Sequence, residues 1–229
     1  MRDPFLRALR QAISTELTLR SGLTPDRVRA LLVPRFMGHG PVRYELISGC
    51  LDLPYDRIGR LVRPLSEHGE WRTGGGLLTI RTGIVRSDKF VELTEGGHAL
   101  CDRLDRLDPD RAGPSIESVL SVLSAFREAV PGGHLRDLVL LVNLGEAESA
   151  RYDGRAFPVG SSHLRRLREA ELVERSGAAY RGRYQPPALS EEGRSLLHRL
   201  AGLSPSAIKR WNDRHECMVT WDGDVAIFH

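Results

Sequence analysis

VELTEGGHALCDRL (Val91–Leu104) has an echo in PALSEEGRSLLHRL (Pro187–Leu200), so that Leu93-Thr94-Glu95-Gly96-Gly97 aligns with Leu189-Ser190-Glu191-Glu192-Gly193. In both copies a hydroxyl residue precedes a glutamate-led helical pattern, the signature of an N-cap. A second matched pair lies upstream, RLVRPLSEHGEWR (Arg60–Arg72) and HLRRLREAELVER (His163–Arg175). Each unit therefore reads as a basic amphipathic helix ending in a turn, a Gly/Arg-rich stretch, and a strand that runs into a capped helix. The copies are unequal: Leu65 to Leu167 is an offset of 102, whereas Leu93 to Leu189 is 96, which predicts a second hairpin about six residues shorter than the first.

Working outward from the first copy, Phe5, Leu6, Leu9, Ile13 and Leu17 have helical spacing, predicting a helix over 4–19 that Gly22 closes. Thr24-Pro25 opens a second helix to about Phe36, with Pro at the first helical position. Pro41 predicts a third helix start, with the helix spanning Val42–Leu51 and Cys50 on its apolar side, and Asp52-Leu53-Pro54 is a tight turn. The fourth helix is expected over Tyr55–His68, with Ile58, Leu61, Val62 and Leu65 on one face and Arg57, Arg60 and Arg63 on the other. Gly74-Gly75-Gly76 leads into Leu77–Ile84, and Phe90–Leu93 completes a hairpin with a basic tip.

Asp108–Pro114, rich in Pro, Gly and Asp, is the linker. Beyond it, a helix is predicted over Ile116–Ala129, a buried one over Arg136–Leu144, a short basic one over Ser161–Ala170, a hairpin at Ala178–Pro187 and a closing helix over Ser190–Leu203. From Gly145 to Gly160 no element is readable. The tail, Ser204–His229, belongs to neither unit: Ser204-Pro205 starts a helix containing Trp211, and Met218–Phe228 reads as a hairpin around Asp222-Gly223. Trp211, Trp221 and Phe228 are candidates to cover a core face. The expected units are 1–110, 115–203 and the extension 204–229.

Composition narrows the function. The chain has 229 residues, 41% hydrophobic and 28% charged, as in an ordinary folded protein. No apolar run reaches the length of a membrane span, and the start MRDPFLRALRQ has no apolar core, so the expectation is a cytoplasmic chain. The three cysteines, Cys50, Cys101 and Cys217, form no CxxC pair, arguing against a disulfide framework or a zinc site; His215-x-Cys217 supplies too few ligands. His68 and His163 read as polar surface residues. No Walker loop, GxSxG elbow, HExxH or paired-carboxylate spacing is present, and Gly74-Gly75-Gly76 precedes a strand, so neither an enzyme nor a cofactor is expected. Net charge is only +3, but all of the 33 basic residues except Lys89 and Lys209 are arginine. A GC-rich genome would produce that bias, and so would a surface that grips phosphate and guanine edges; placement separates the two.

The order helix, turn, helix, hairpin and capped helix is the outline of a winged helix-turn-helix. The fold expected is mainly α with small β-hairpin wings (α+β): two tandem winged helix-turn-helix units forming a pseudo-dimer in one chain. The block ELISGCLDLPYDRIGRLVRPLSEHGEW…FVELTEGGHALCDRL resembles MarR-type winged-helix regulators, and the doubled arrangement is similar to the two-repeat SarA-like branch. The resemblance covers residues 5–107 closely and 116–203 more loosely. It implies a recognition helix at Tyr55–His68, with Tyr55, Asp56, Arg57 and Arg60 toward base edges, Arg63 toward phosphate, and wing contacts from Arg81, Arg86 and Lys89. In the second unit it implies Ser161, Ser162, His163, Arg165 and Arg166 on the helix and Arg181 and Arg183 on the wing. Two features depart from the pattern: Pro64 lies inside the recognition helix, and in the wing the acid follows the base, Arg86-Ser87-Asp88-Lys89.

The expected partner is therefore double-stranded DNA, and the expected role that of a transcriptional regulator at the nucleoid, with most recognition in the N-terminal unit. Two alternatives remain at this point: a winged-helix scaffold that binds protein in chromosome or plasmid maintenance, and a tandem winged-helix replication initiator. Self-association and a small-molecule effector are open questions.

Overall fold

Two side-chain caps start the chain's first helices in a computed structural model that describes residues 3–17, 23–38, 40–66, 76–83, 88–108, 115–150, 161–174, 187–209, 219–222 and 225–228. Asp3 Oδ1 accepts from the Leu6 N–H at 2.8 Å and opens α1 (Pro4–Ala12), which continues as a π-helical turn, Ile13–Leu17. Thr24 Oγ1 accepts from the Arg27 N–H and opens α2 (Pro25–Phe36). Both helices have proline in the first turn, where its missing N–H costs nothing.

The next segment departs from expectation. Val42 and Arg43 are a short strand, β1 (Val42–Arg43), and only Tyr44–Leu51 is helical, as α3. β1 pairs antiparallel with β3 (Lys89–Leu93), Val42 opposite Val91, and both valines are buried. That pairing joins residues far apart in sequence, which local periodicity cannot show. α4 (Tyr55–Val62) is shorter than the predicted Tyr55–His68. A single 3-10 turn, Arg63–Leu65, follows it, because Pro64 lacks an N–H and clashes with the preceding helical turn. β2 (Leu78–Thr82) pairs with β3 to give a three-stranded antiparallel sheet of order β1-β3-β2. α5 (Glu95–Asp105) then starts from the Thr94 cap.

The C-terminal half is helical: α6 (Ile116–Ala129), α7 (Leu135–Ala150), α8 (Ser161–Glu169) and α9 (Glu191–Ala201), with a hairpin of β4 (Val219–Asp222) and β5 (Val225–Phe228) at the end. α7 runs through Gly145, where the sequence pattern fades. A Cβ at Gly145 would lie 2.4 Å from Leu197 Cδ1, so glycine here lets α7 and α9 approach closely. The predicted hairpin at Ala178–Pro187, except for Pro187 itself, lies outside the described residues, as does Trp211.

The sequence repeat corresponds to a repeated hydrogen-bond frame. The Leu77 N–H donates to Leu65 O at 2.9 Å and the Leu172 N–H to Leu167 O at 2.9 Å; the Thr94 N–H donates to Leu77 O at 3.1 Å and the Ser190 N–H to Leu172 O at 3.1 Å. The Thr94 hydroxyl donates to Gly76 O and accepts from the Gly97 N–H, while the Ser190 hydroxyl does the same with Glu171 O and the Gly193 N–H. Gly76 (φ +80°) and Glu171 (φ +59°) both take the left-handed conformation. Glycine is required at the next contact, since a Cβ on Gly97 or Gly193 would lie 2.1 Å from the carbonyl oxygen of Leu77 or Leu172. The frame also corrects the expected wing lengths. Leu77 to Thr94 and Leu172 to Ser190 are nearly equal spans, whereas Leu65 to Leu77 is much longer than Leu167 to Leu172. The second copy is thus short between Leu167 and Leu172, not between Leu172 and Ser190.

Both halves share one buried core that runs from Phe5 to Leu200. α2 packs on α6, and α7 packs on α1 and α9. Ion pairs link the halves: Glu146 meets Arg7 and Arg10 at 3.0 Å each, and Asp26 meets Arg127 at 3.0 Å. The molecule is mainly helical with a small antiparallel sheet, consistent with α+β. Among the described residues no helix is long and apolar enough to cross a membrane.

Candidate nucleic-acid interface

α4 is the most polarised helix near the sheet. Ile58 and Val62 are fully buried, while Asp56, Arg57, Arg60 and Arg63 are exposed. Asp52, in the left-handed conformation (φ 51°), ends α3 and turns the chain into α4, and the Ser48 hydroxyl donates to Leu53 O to hold that turn. Asp56 reaches Arg60 only at 4.0 Å, with both side chains largely in solvent, so the pair is weak and Arg60 stays available. Arg57 has no ion-pair partner among the described residues.

An aromatic pair joins α4 to the sheet. The rings of Tyr44 and Tyr55 lie 5.9 Å apart, and Lys89 Nζ is 5.9 Å from the Tyr44 ring centre. Burial, reinforced by Tyr55, pushes the Tyr44 hydroxyl above its ordinary pKa, and the nearby Arg63 only partly offsets this. Tyr44 is therefore a neutral pillar between helix and hairpin, and Tyr55 is half exposed at the start of α4.

Strand register sorts the hairpin's basic residues. Val42, Ile80 and Val91 share the face turned toward the core; Arg43, Phe90 and Arg81 are directly opposite one another on the outer face. Arg43 Cζ is 5.6 Å from the Phe90 ring centre, a cation–π contact. Arg81 lies 2.8 Å from Glu92 but remains mostly exposed. Arg43 was not legible as a surface cation, because the sequence placed it inside a helix; only the pairing of β1 with β3 reveals it. Arg86 lies outside the described residues.

α8, the predicted counterpart of α4, is oriented differently. Asp137 near the start of α7 is fully buried, and its carboxylate receives Arg166 Nε at 2.7 Å, Arg166 Nη2 at 3.0 Å, the His134 N–H at 2.7 Å and His163 Nδ1. Burial by itself would raise the Asp137 pKa; the hydrogen bonds from Arg166, the His134 backbone and His163 outweigh it and hold the carboxyl below its usual range. His163 is thus a half-buried partner of Asp137 rather than the polar surface residue expected, and Arg166 points into the same cluster. Ser162 and Arg165 face outward, and Arg165 pairs with Glu169 at 3.5 Å. Ser161 begins the helix. Arg181 and Arg183 lie outside the described residues.

The cysteines correct one expectation. Cys50 is exposed on α3, not in the core, whereas Cys101 is buried and its thiol is pushed up to about 12 by desolvation. Among the described residues no group of three or more His, Cys, Asp or Glu side chains is placed to hold a metal ion.

Compared with known proteins, the chain matches no family model, no curated protein and no solved structure.

Proposed function

We propose that residues 25–105 form a winged helix-turn-helix that binds double-stranded DNA, and that the chain is a transcriptional regulator acting at the nucleoid. The observation that carries this reading is the exposed arginine face of α4, Arg57, Arg60 and Arg63, beside the basic hairpin with Arg81 and Lys89. The order α2–β1–α3–α4–β2–β3, with strands arranged β1-β3-β2, supports it. In this reading Tyr55, Asp56, Arg57 and Arg60 approach base edges in the major groove, Arg63 approaches phosphate, and Arg43, Arg81 and Lys89 approach the backbone beside it. The repeated frame around Thr94 and Ser190 favours a second unit of the same ancestry, in which Ser162 and Arg165 face outward while His163 and Arg166 are committed to Asp137.

Binding to genomic fragments, titrated across salt concentrations, tests the reading. A phosphate-gripping protein loses affinity steeply as salt rises and prefers some fragments over others. Flat salt dependence, or no preferred fragment, would overturn it.

Exposed Phe36, Met37 and Leu46 favour a second reading, a winged-helix scaffold that docks on protein. Charge reversal at Arg57 and Arg60 separates the two, since a DNA reader loses binding and a scaffold using another face does not.

A further inference from the structure

A cleft of about 550 Å³ opens where α4 faces the turn between α6 and α7, a volume suited to a small ligand. Its walls include Arg57 from α4, Asp26 from α2, Arg127 and Glu128 from α6, and Gly132 and Gly133 from the turn. The charges are of two kinds. Asp26 is fully engaged, with Arg29 and Arg127 each 3.0 Å away, so that cluster offers little to a ligand. Arg57 and Glu128, both exposed, meet no opposite charge among the described residues, and they do not meet each other. One unpaired cation and one unpaired anion therefore face a single cleft at more than ion-pair separation.

We propose that this cleft binds a small zwitterion of the amino-acid class, its carboxylate on the Arg57 guanidinium and its ammonium on the Glu128 carboxylate. A simple anion such as phosphate satisfies Arg57 but is repelled by Glu128, and a simple cation meets the reverse. A molecule carrying both charges satisfies both walls at once. The turn that forms another part of the wall is open at Gly132, where even a Cβ would meet nothing within 4 Å, leaving room for the ligand's own side chain. It is also held in place, because the His134 N–H that follows it donates to the buried Asp137 carboxylate at 2.7 Å. Resting on the DNA-binding reading, one consequence follows: Arg57 cannot serve a bound carboxylate and a base edge together, so ligand and DNA weaken each other's binding by the same factor.

The test is calorimetric titration of the full chain with each of the twenty free L-amino acids, using acetate and inorganic phosphate as comparison probes. The expected result is saturable binding of at least one amino acid, weakened by about tenfold or more in both Arg57→Gln and Glu128→Gln, the loss of one charge-assisted contact each. Both residues are exposed, so neither change threatens the fold. No saturable binding of any amino acid overturns the proposal, and so does equal binding of acetate or phosphate, or binding indifferent to Glu128→Gln. Repeating the DNA titration with the bound amino acid should lower DNA affinity, and unchanged affinity overturns the coupling. Amino-acid binding without DNA binding would remove the DNA reading and leave the cleft assignment standing; DNA binding without amino-acid binding would do the opposite.

Discussion

Arg166 Nε lies 2.7 Å from Asp137 Oδ2 while Arg166 Nη2 lies 3.0 Å from Asp137 Oδ1, a two-point contact between α8 and a carboxylate with no solvent exposure. A planar guanidinium matches a carboxylate in this way, and lysine could not reproduce it. The contact turns one side of a basic helix inward and pins α8 to α7.

Removing the carboxylate leaves Arg166 and His163 half buried without their partner. Asp137→Ala is expected to destabilise the protein by about 3 kcal/mol, the lower end for breaking a buried pair, because both partners retain some access to water. Arg165→Ala, which breaks only the exposed pair with Glu169, should cost no more than about 0.5 kcal/mol. Urea unfolding of the two variants checks the contrast; equal costs would show that Asp137 does not anchor α8.

The same carboxylate makes stability depend on acid. The folded Asp137 pKa is depressed, so its contribution is complete above the unfolded value, about 3.9, and is lost as pH falls through that value toward the folded one. Burial, then Arg166, depresses the His134 pKa too, which adds a weaker loss of stability beginning as pH falls through about 6.5. Urea midpoints measured from neutral pH down to about pH 3 should fall more steeply for the wild type than for Asp137→Asn. Parallel curves would rule the linkage out.

Gly97 and Gly193 do the same job in the two copies. Gly97→Ala and Gly193→Ala each drive a methyl group against a backbone carbonyl, and each should cost about 2 kcal/mol or more. Gly49→Ala, on an open face of α3, should instead stabilise by about 0.5–1 kcal/mol. Thermal unfolding of the three variants gives the comparison, and a neutral Gly193→Ala would mean that the second frame is looser than the first.

On DNA, Arg63→Ala should weaken binding across sequences and reduce the slope of log affinity against log salt by about one, because Arg63 is the residue this reading sets against phosphate. Arg166→Ala should leave the affinity of the folded protein unchanged, because Arg166 is committed to Asp137. Anisotropy titrations at several salt concentrations measure both. Loss of affinity from Arg166→Ala at full folding would place α8 at the DNA after all.

Local chemistry made most of the elements legible. Thr24, Thr94 and Ser190 cap helices because a short oxygen-bearing side chain next to an apolar-periodic run has one favourable use. Pro64 announced a disturbance in α4 but not where the helix would stop. The candidate site was legible on α4, where helical spacing alone put Arg57, Arg60 and Arg63 opposite Ile58 and Val62.

By itself, then, the sequence determined the repeated motif, its helix caps and the mainly helical composition, because these follow from interactions among residues close along the chain. Tertiary structure decided which basic residues face outward. Val42 and Arg43 became a strand only by pairing with Phe90 and Val91, which brought Arg43 to the outer face of the sheet. His163 and Arg166 turned inward only because a helix some two dozen residues earlier carries a buried carboxylate that must be neutralised where water cannot reach it. Helical periodicity encodes which side of a helix is apolar, but it does not encode what charge lies on the element packed against it.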